Sequence, residues 1–355
     1  MTEKPGALKI FSPSRIALTI IIGLGVATWL VVRNFEIEHF QNIKWTWNST
    51  LMLFVALLMM AIRDLAYMYR IRVLTDQQLS WRHSFDTIML WEFASAITPS
   101  VVGGSGVAVF ILNREGIKMG KSTAVVMTTA LLDELFYILT VPMIFLLVGY
   151  QNLFPVELQK TIFGITLGTK GIFLVGYLFI VLLTSIISYA VFIKPRGFKW
   201  VLLQIFRIPI LRKWRAAAGS TGDDIIVTSK ELRNKPFLFW LKAFGATLFS
   251  WTARYWVVNF IILAFVSLGW HDHLMVYARQ LVMWVIMLIS PTPGSAGVAE
   301  IAFSGFLKDF IPLGLAGALA LLWRLFSYYP YLFIGAIILP RWIKRTYSSN
   351  VKDEN

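Results

Sequence analysis

Long apolar runs alternate with short polar stretches along most of this chain. Six runs read as membrane spans: Ile16–Val32, Leu51–Leu74, Ser122–Val148, Gly171–Ile193, Pro236–Trp270 and Leu313–Leu339. A helix of about 20 apolar residues crosses the hydrocarbon core of a bilayer. The first run offers small residues at Gly25, Val26 and Ala27, as a signal-peptide cleavage site would. It continues to Val32, which favours an uncleaved anchor.

Two further apolar stretches are interrupted. Ile97–Phe110 reads ITPSVVGGSGVAVF, and Ile289–Phe303 reads ISPTPGSAGVAEIAF. Proline ends an arriving helix, and glycine permits the turn that follows. The first stretch predicts a half-helix Phe85–Ile97 and a second one starting at Gly106, within 84–112. The second, within 277–310, predicts a restart at Val298. Pro99 and Pro291 stand 192 residues apart. Lipid cannot satisfy the free backbone groups of a broken helix, so both breaks must line a cavity or be buried in protein. One broken element per half is the pattern of a transporter-type binding site.

Composition strengthens the membrane reading. Of 355 residues, 57% are hydrophobic, and the mean hydropathy is +0.68. No cysteine is present, which excludes a disulfide framework and a thiolate metal site. The net charge of +14 fits basic loops facing anionic lipid rather than nucleic acid. Six spans plus two hairpins that return to their own side place twenty-three Lys or Arg on the inner face and five outside. The first hairpin then enters from inside and the second from outside, an inverted repeat. Eight full spans would also leave both ends inside, but would move Arg114, Lys118 and Lys121 outside.

The expected fold is therefore all-α and polytopic, with two oppositely oriented re-entrant hairpins. The membrane domain covers 16–340, between tails 1–15 and 341–355. Its halves, 51–148 and 236–340, flank a polar linker 194–235 with ten Lys or Arg. Within the linker, Phe198–Trp214 reads as an amphipathic helix on a membrane surface. Ala216–Asn234 reads as solvated, and 149–170 as a loop.

Charges inside the spans carry the chemistry. They are Arg63, Asp64, Glu92, Asp133, Glu134, Arg254, Glu300 and Arg324. A charge at the bilayer centre costs about 2.5–3.5 kcal/mol even on lenient scales, so these should face a polar interior. Each one could serve interhelical pairing instead. Three arginines favour an anionic group, because guanidinium grips phosphate bidentately. The turns at Gly103, Gly104, Ser105 and Gly106, and at Pro291, Pro293, Gly294, Ser295 and Gly297, add backbone N–H groups at a helix start. The alternative is that the small residues only let the hairpins pack closely.

Catalytic signals are poor. The four histidines lie near loops, and no phosphate loop of GxxxxGK[ST] type occurs. No catalytic residue, metal ligand set or cofactor is expected. A single acidic pair, Asp133 and Glu134, is too little to predict a metal.

PTPGSAGVAE at 291–300, TPSVVGGSGVAVFIL at 98–112 and WRLFSYYP at 323–330 resemble the membrane region of lysylphosphatidylglycerol synthases. The resemblance runs from about residue 16 to 340. Ser295 stands where that family usually has glycine. In the full-length synthases this region moves aminoacylated phosphatidylglycerol to the outer leaflet, and a separate domain transfers the amino acid from tRNA. This chain ends soon after its last span, so the resemblance implies lipid translocation rather than lysine transfer. It implies a bacterial inner-membrane protein with cytoplasmic termini. Its expected partners are membrane lipids with anionic headgroups, and a lipid-modifying enzyme or a second copy of the chain. The competing functions are an intramembrane transferase acting on an isoprenoid-phosphate lipid and a structural partner of a lipid-modifying enzyme.

Overall fold

The computed structural model describes residues 45–98, 101–157, 159–162, 165–208, 212, 215–287, 298–312 and 314–350. The first predicted span, Ile16–Val32, lies outside them, as do Pro99 and the second turn with Pro291, Pro293, Gly294, Ser295 and Gly297. Apart from one short strand pair, the described chain is helical. It is an all-α membrane protein. Four helical stretches are long and apolar enough to cross a membrane: Trp47–Leu74, Met119–Val148, Thr169–Ile193 and Ala316–Thr346.

Helix α1 spans Trp47–Leu74. Thr46 caps it, accepting the Ser49 N–H at 3.3 Å, and the Ser49 hydroxyl accepts the Thr46 N–H in return. Asp76 and Gln77 follow with φ of 54° and 58°. Ser80 then caps α2, Trp81–Ile97, through the His83 N–H at 3.2 Å. Thr98, which precedes Pro99 in sequence, ends α2 with ψ 139°. That extended state is what a following proline ring imposes.

Helix α3 begins at Val101 and runs to Arg114. The predicted restart at Gly106 is therefore five residues late. Gly103, Gly104 and Gly106 belong to a helix and not to the turn. Gly104 serves close packing: a Cβ there would overlap Ser95 Oγ and come within 3.0 Å of Ser95 Cα, whereas a Cβ on Gly106 would meet nothing within 4 Å. Helices α2 and α3 thus form a tightly packed hairpin.

Helix α4 is Met119–Val148, about 45 Å long at 1.5 Å per residue, with Pro142 inside. The predicted loop 149–170 holds an antiparallel strand pair, β1 (Gln159–Ile162) and β2 (Ile165–Gly168). Helix α5, Thr169–Ser188, continues through a π-turn to Ile193 and exposes Leu174, Leu178, Phe179 and Leu182.

The linker is more ordered than its polarity predicts. It holds α6, Pro195–Ile205, and α7, Arg215–Arg233. Helix α6 exposes Trp200, Val201 and Ile205, and Lys199 pairs with Asp223 of α7 at 2.5 Å. Helix α7 corrects the expectation of a solvated segment. Ala218, Ile225 and Leu232 recur every seven residues and are buried. This stripe packs α7 on α4, where a Cβ at Gly120 would overlap Asp224.

Helix α8, Phe237–Leu263, lies antiparallel to α1 along its whole length. Trp45 meets Phe265 at one end, and Lys235 pairs with Asp76 at the other. Asp76 also pairs with Lys121 of α4 at 2.9 Å, which ties three helix ends together. Helix α9 spans Trp270–Met287 and α10 spans Val298–Phe306, on either side of residues 288–297. Arg279 of α9 donates to the Asn152 and Phe306 carbonyls and pairs with Asp309 at 2.7 Å.

The last predicted span is two helices, α11 (Ala316–Ser327) and α12 (Tyr329–Asn350). Pro330 has no N–H to continue the ladder from α11, so the axis breaks at Tyr328. Helix α12 packs on α2, and α9 packs on α4. At the first contact a Cβ on Gly335 would overlap Phe93.

Candidate functional site

The site grows from one face of α1. Arg63, Tyr67 and Arg70 stand at i, i+4 and i+7, so they point the same way. Tyr67 lies between the two cations, its ring 4.6 Å from each guanidinium carbon.

Arg63 is 1% exposed, and both of its terminal nitrogens are engaged. It donates to Asp64 at 2.8 Å, Glu92 at 2.5 Å and the Tyr331 oxygen at 2.6 Å. The Tyr331 hydroxyl donates to Asp64 at 2.8 Å. Arg324 is likewise buried, 3.0 Å from the Glu300 carboxylate and 3.8 Å above the Tyr328 ring. These two predicted headgroup contacts thus belong to ion pairs in the packed interior, and neither lines the central cavity.

That cavity, of about 230 Å³, opens between α1, α2, α3, α4, α8 and α9. Helix α4 supplies Asp133 and Glu134, at the midpoint of its thirty residues. Glu92 and Ser95 come from α2, and Ser105 from α3. Arg254 reaches in from α8. Three indoles, Trp91, Trp251 and Trp284, form the apolar walls. Trp284 stacks on buried Tyr137, centroids 3.7 Å apart, which closes one end. Five predicted residues therefore converge: Glu92, Ser105, Asp133, Glu134 and Arg254.

Their electrostatics differ. Asp133 takes two hydrogen bonds from Arg70, at 2.5 and 3.3 Å, and one from the Trp251 indole at 2.7 Å. Glu92 is compensated by Arg63. Glu134 Oε2 is buried and has no hydrogen-bond partner among the described residues. Arg254 lies 5.3 Å from the Trp251 ring and forms no described ion pair. With Trp284 it also borders a second void of about 30 Å³, lined by Met287 and Trp323.

Residues 16–335 match the family described as the lysylphosphatidylglycerol synthase TM region. The chain belongs to that family. A UPF0104 membrane protein of Archaeoglobus fulgidus is 28% identical over 332 residues, covering 88% of this chain and 94% of the relative. No solved structure matches the chain. The family match spans the whole bundle around the cavity, so the site lies within the shared region.

Arg70 is the member of the site that sequence reasoning missed. It stands near the end of its span, where the charge bias counts it with the basic residues of the inner face. The i, i+4, i+7 face shared with Arg63 and Tyr67 was the available signal. The partner of Asp133 is Arg70, and Arg254 lines the same cavity as Asp133 and Glu134. Among the described residues no group of three His, Asp or Glu side chains is placed so that it could hold a metal ion.

Proposed function

We propose that this protein moves a lipid with an anionic headgroup between the two leaflets, and that the headgroup passes through the central cavity. Arg254 carries the reading: it is the cavity arginine with no described carboxylate partner. A cavity of about 230 Å³ suits a phosphate headgroup rather than a whole lipid, so the acyl chains stay in the bilayer. Ser95 and Ser105 add hydroxyls, and the three indoles exclude water around the anion.

The proposed topology is six spans with two hairpins, α2–α3 and α9–α10, entering from opposite faces. Three features support it. Antiparallel α1 and α8 pack along their length, and Arg63 and Arg254 stand at nearly the same distance from their starts. Each hairpin packs on the closing helix of the other half, α2 on α12 and α9 on α4. The two broken sequences, PSVVGGSGVA and PTPGSAGVA, have matching order. These are the marks of an inverted repeat with a midplane site.

Two measurements test the reading. In vesicles with fluorescent short-chain phosphatidylglycerol, Arg254→Ala should weaken headgroup binding by about 1.5–3 kcal/mol, roughly tenfold to 100-fold. Exchange by folded Arg254→Ala at the parent rate would remove the headgroup site from this cavity. For topology, single cysteines replacing Gly116 and Ser220 should react with an impermeant maleimide only from the cytoplasm. Those replacing Pro155 and Asp272 should react only from outside. External labelling at 116 would exclude a re-entrant first hairpin.

A further inference from the structure

We propose that lipid passage is coupled to a proton carried by Glu134, so that the headgroup anion and one proton cross together. The proposal rests on the lipid reading above and adds its driving force.

Three carboxylates line the cavity, and two are neutralised within the protein. Asp133 is held by Arg70 and Trp251, and Glu92 by Arg63. Glu134 has no such partner among the described residues, and its Oε2 is buried. The titratable groups that share the cavity are Tyr67 and Arg70 of α1, Glu92 of α2, Asp133 of α4 and Arg254 of α8. Helices α3 and α9 contribute Ser105 and Trp284, which do not titrate. Arg70 is spent on Asp133, which leaves Arg254 as the cation that can answer a new negative charge.

Two anions then compete for one cation. An unpaired carboxylate in a low-dielectric cavity is costly, and such a group neutralises by binding a proton instead. With a headgroup phosphate on Arg254, a second negative charge on Glu134 is opposed, so the carboxyl keeps its proton. Once the headgroup leaves, Arg254 can compensate the carboxylate and the proton departs. One O–H bond forms at Glu134 from water on the side where the lipid enters. It breaks to water on the side where the lipid leaves, and no other bond changes. The occupied site is electrically balanced, which lowers the cost of carrying a phosphate through the bilayer centre.

The test uses the full chain in vesicles of phosphatidylglycerol and phosphatidylethanolamine, with short-chain fluorescent phosphatidylglycerol as probe. A gradient of one pH unit should enrich the probe in the leaflet on the alkaline side by up to about tenfold, the limit for one proton. Glu134→Gln should leave the distribution even under the same gradient, and Glu134→Asp should restore the enrichment. Parent protein that exchanges the probe but holds it evenly under the gradient would overturn the coupling and leave the lipid reading standing. No exchange with or without a gradient would overturn both. Should Glu134→Gln fail to fold, the parent itself is titrated by infrared spectroscopy. Glu134→Asp should shift the stretch of a protonated carboxyl that is lost on alkalinisation. An unshifted band in the folded variant would assign the proton elsewhere and overturn the coupling.

Discussion

Replacing Arg63 by leucine should lower stability by about 3–5 kcal/mol, the usual penalty for breaking a buried ion pair on one side. The guanidinium is 1% exposed and holds two carboxylates, Asp64 and Glu92, and the Tyr331 hydroxyl bonds both it and Asp64. Without it, two negative charges would stand beside the cavity with no cation between them. The loss should show as a lower midpoint in thermal unfolding of the detergent-solubilised protein. Adding Glu92→Gln should recover part of it, because the double variant buries one charge fewer. A midpoint equal to the parent's would mean that water reaches the network and solvates it.

Gly335→Val should be the second severe change. Its Cβ would overlap Phe93 Cβ and Cγ, and Phe93 is wholly buried, so the ring has nowhere to turn. Overpacking of this kind costs about 1–3 kcal/mol, and occasionally more. Phe93→Ala alone should cost about 3–5 kcal/mol, the usual range for a large aromatic truncated in a core. If the two residues touch as described, the double variant should be less destabilised than the sum of the single changes. Additive effects would separate α12 from α2.

Much of the fold was legible in the apolar runs, because a span has only to be long and apolar to be recognised. Helices α1, α4, α5 and α8 lie where those runs predict. The first break was legible too, through Pro99, and α2 ends at Ile97 as expected, but the restart at Val101 was not. Glycines at 103, 104 and 106 suggested a turn, whereas Gly104 serves the approach of α3 to Ser95, a contact that sequence alone does not display. Pro330 marks the break between α11 and α12, but the apolar run continues on both sides of it and reads as one span. Helix α7 hid its stripe because only three widely spaced apolar residues carry it among polar neighbours.

The site was legible in kind but not in pairing. Depth in a span singled out eight charged residues, and the structure places all eight in ion pairs or along the cavity. Which cation answers which acid depends on contacts between distant segments. Arg70 reaches Asp133 across 63 positions, and Trp251 reaches it across 118. Periodicity within one helix cannot supply such contacts. Arg63 and Arg324 therefore looked as available as Arg254 until their partners were placed.

Helix α2 is wedged between two contacts that admit no side-chain atom on the opposing glycine, Gly104 on one flank and Gly335 on the other. In kinematic terms both contacts oppose rolling and sliding. Moving it one turn past either neighbour would drive bulkier residues into the same gaps. Helices α2, α3 and α12 should thus travel as one rigid blade. Any opening of the cavity has to be hinged on its other walls, among α1, α4, α8 and α9.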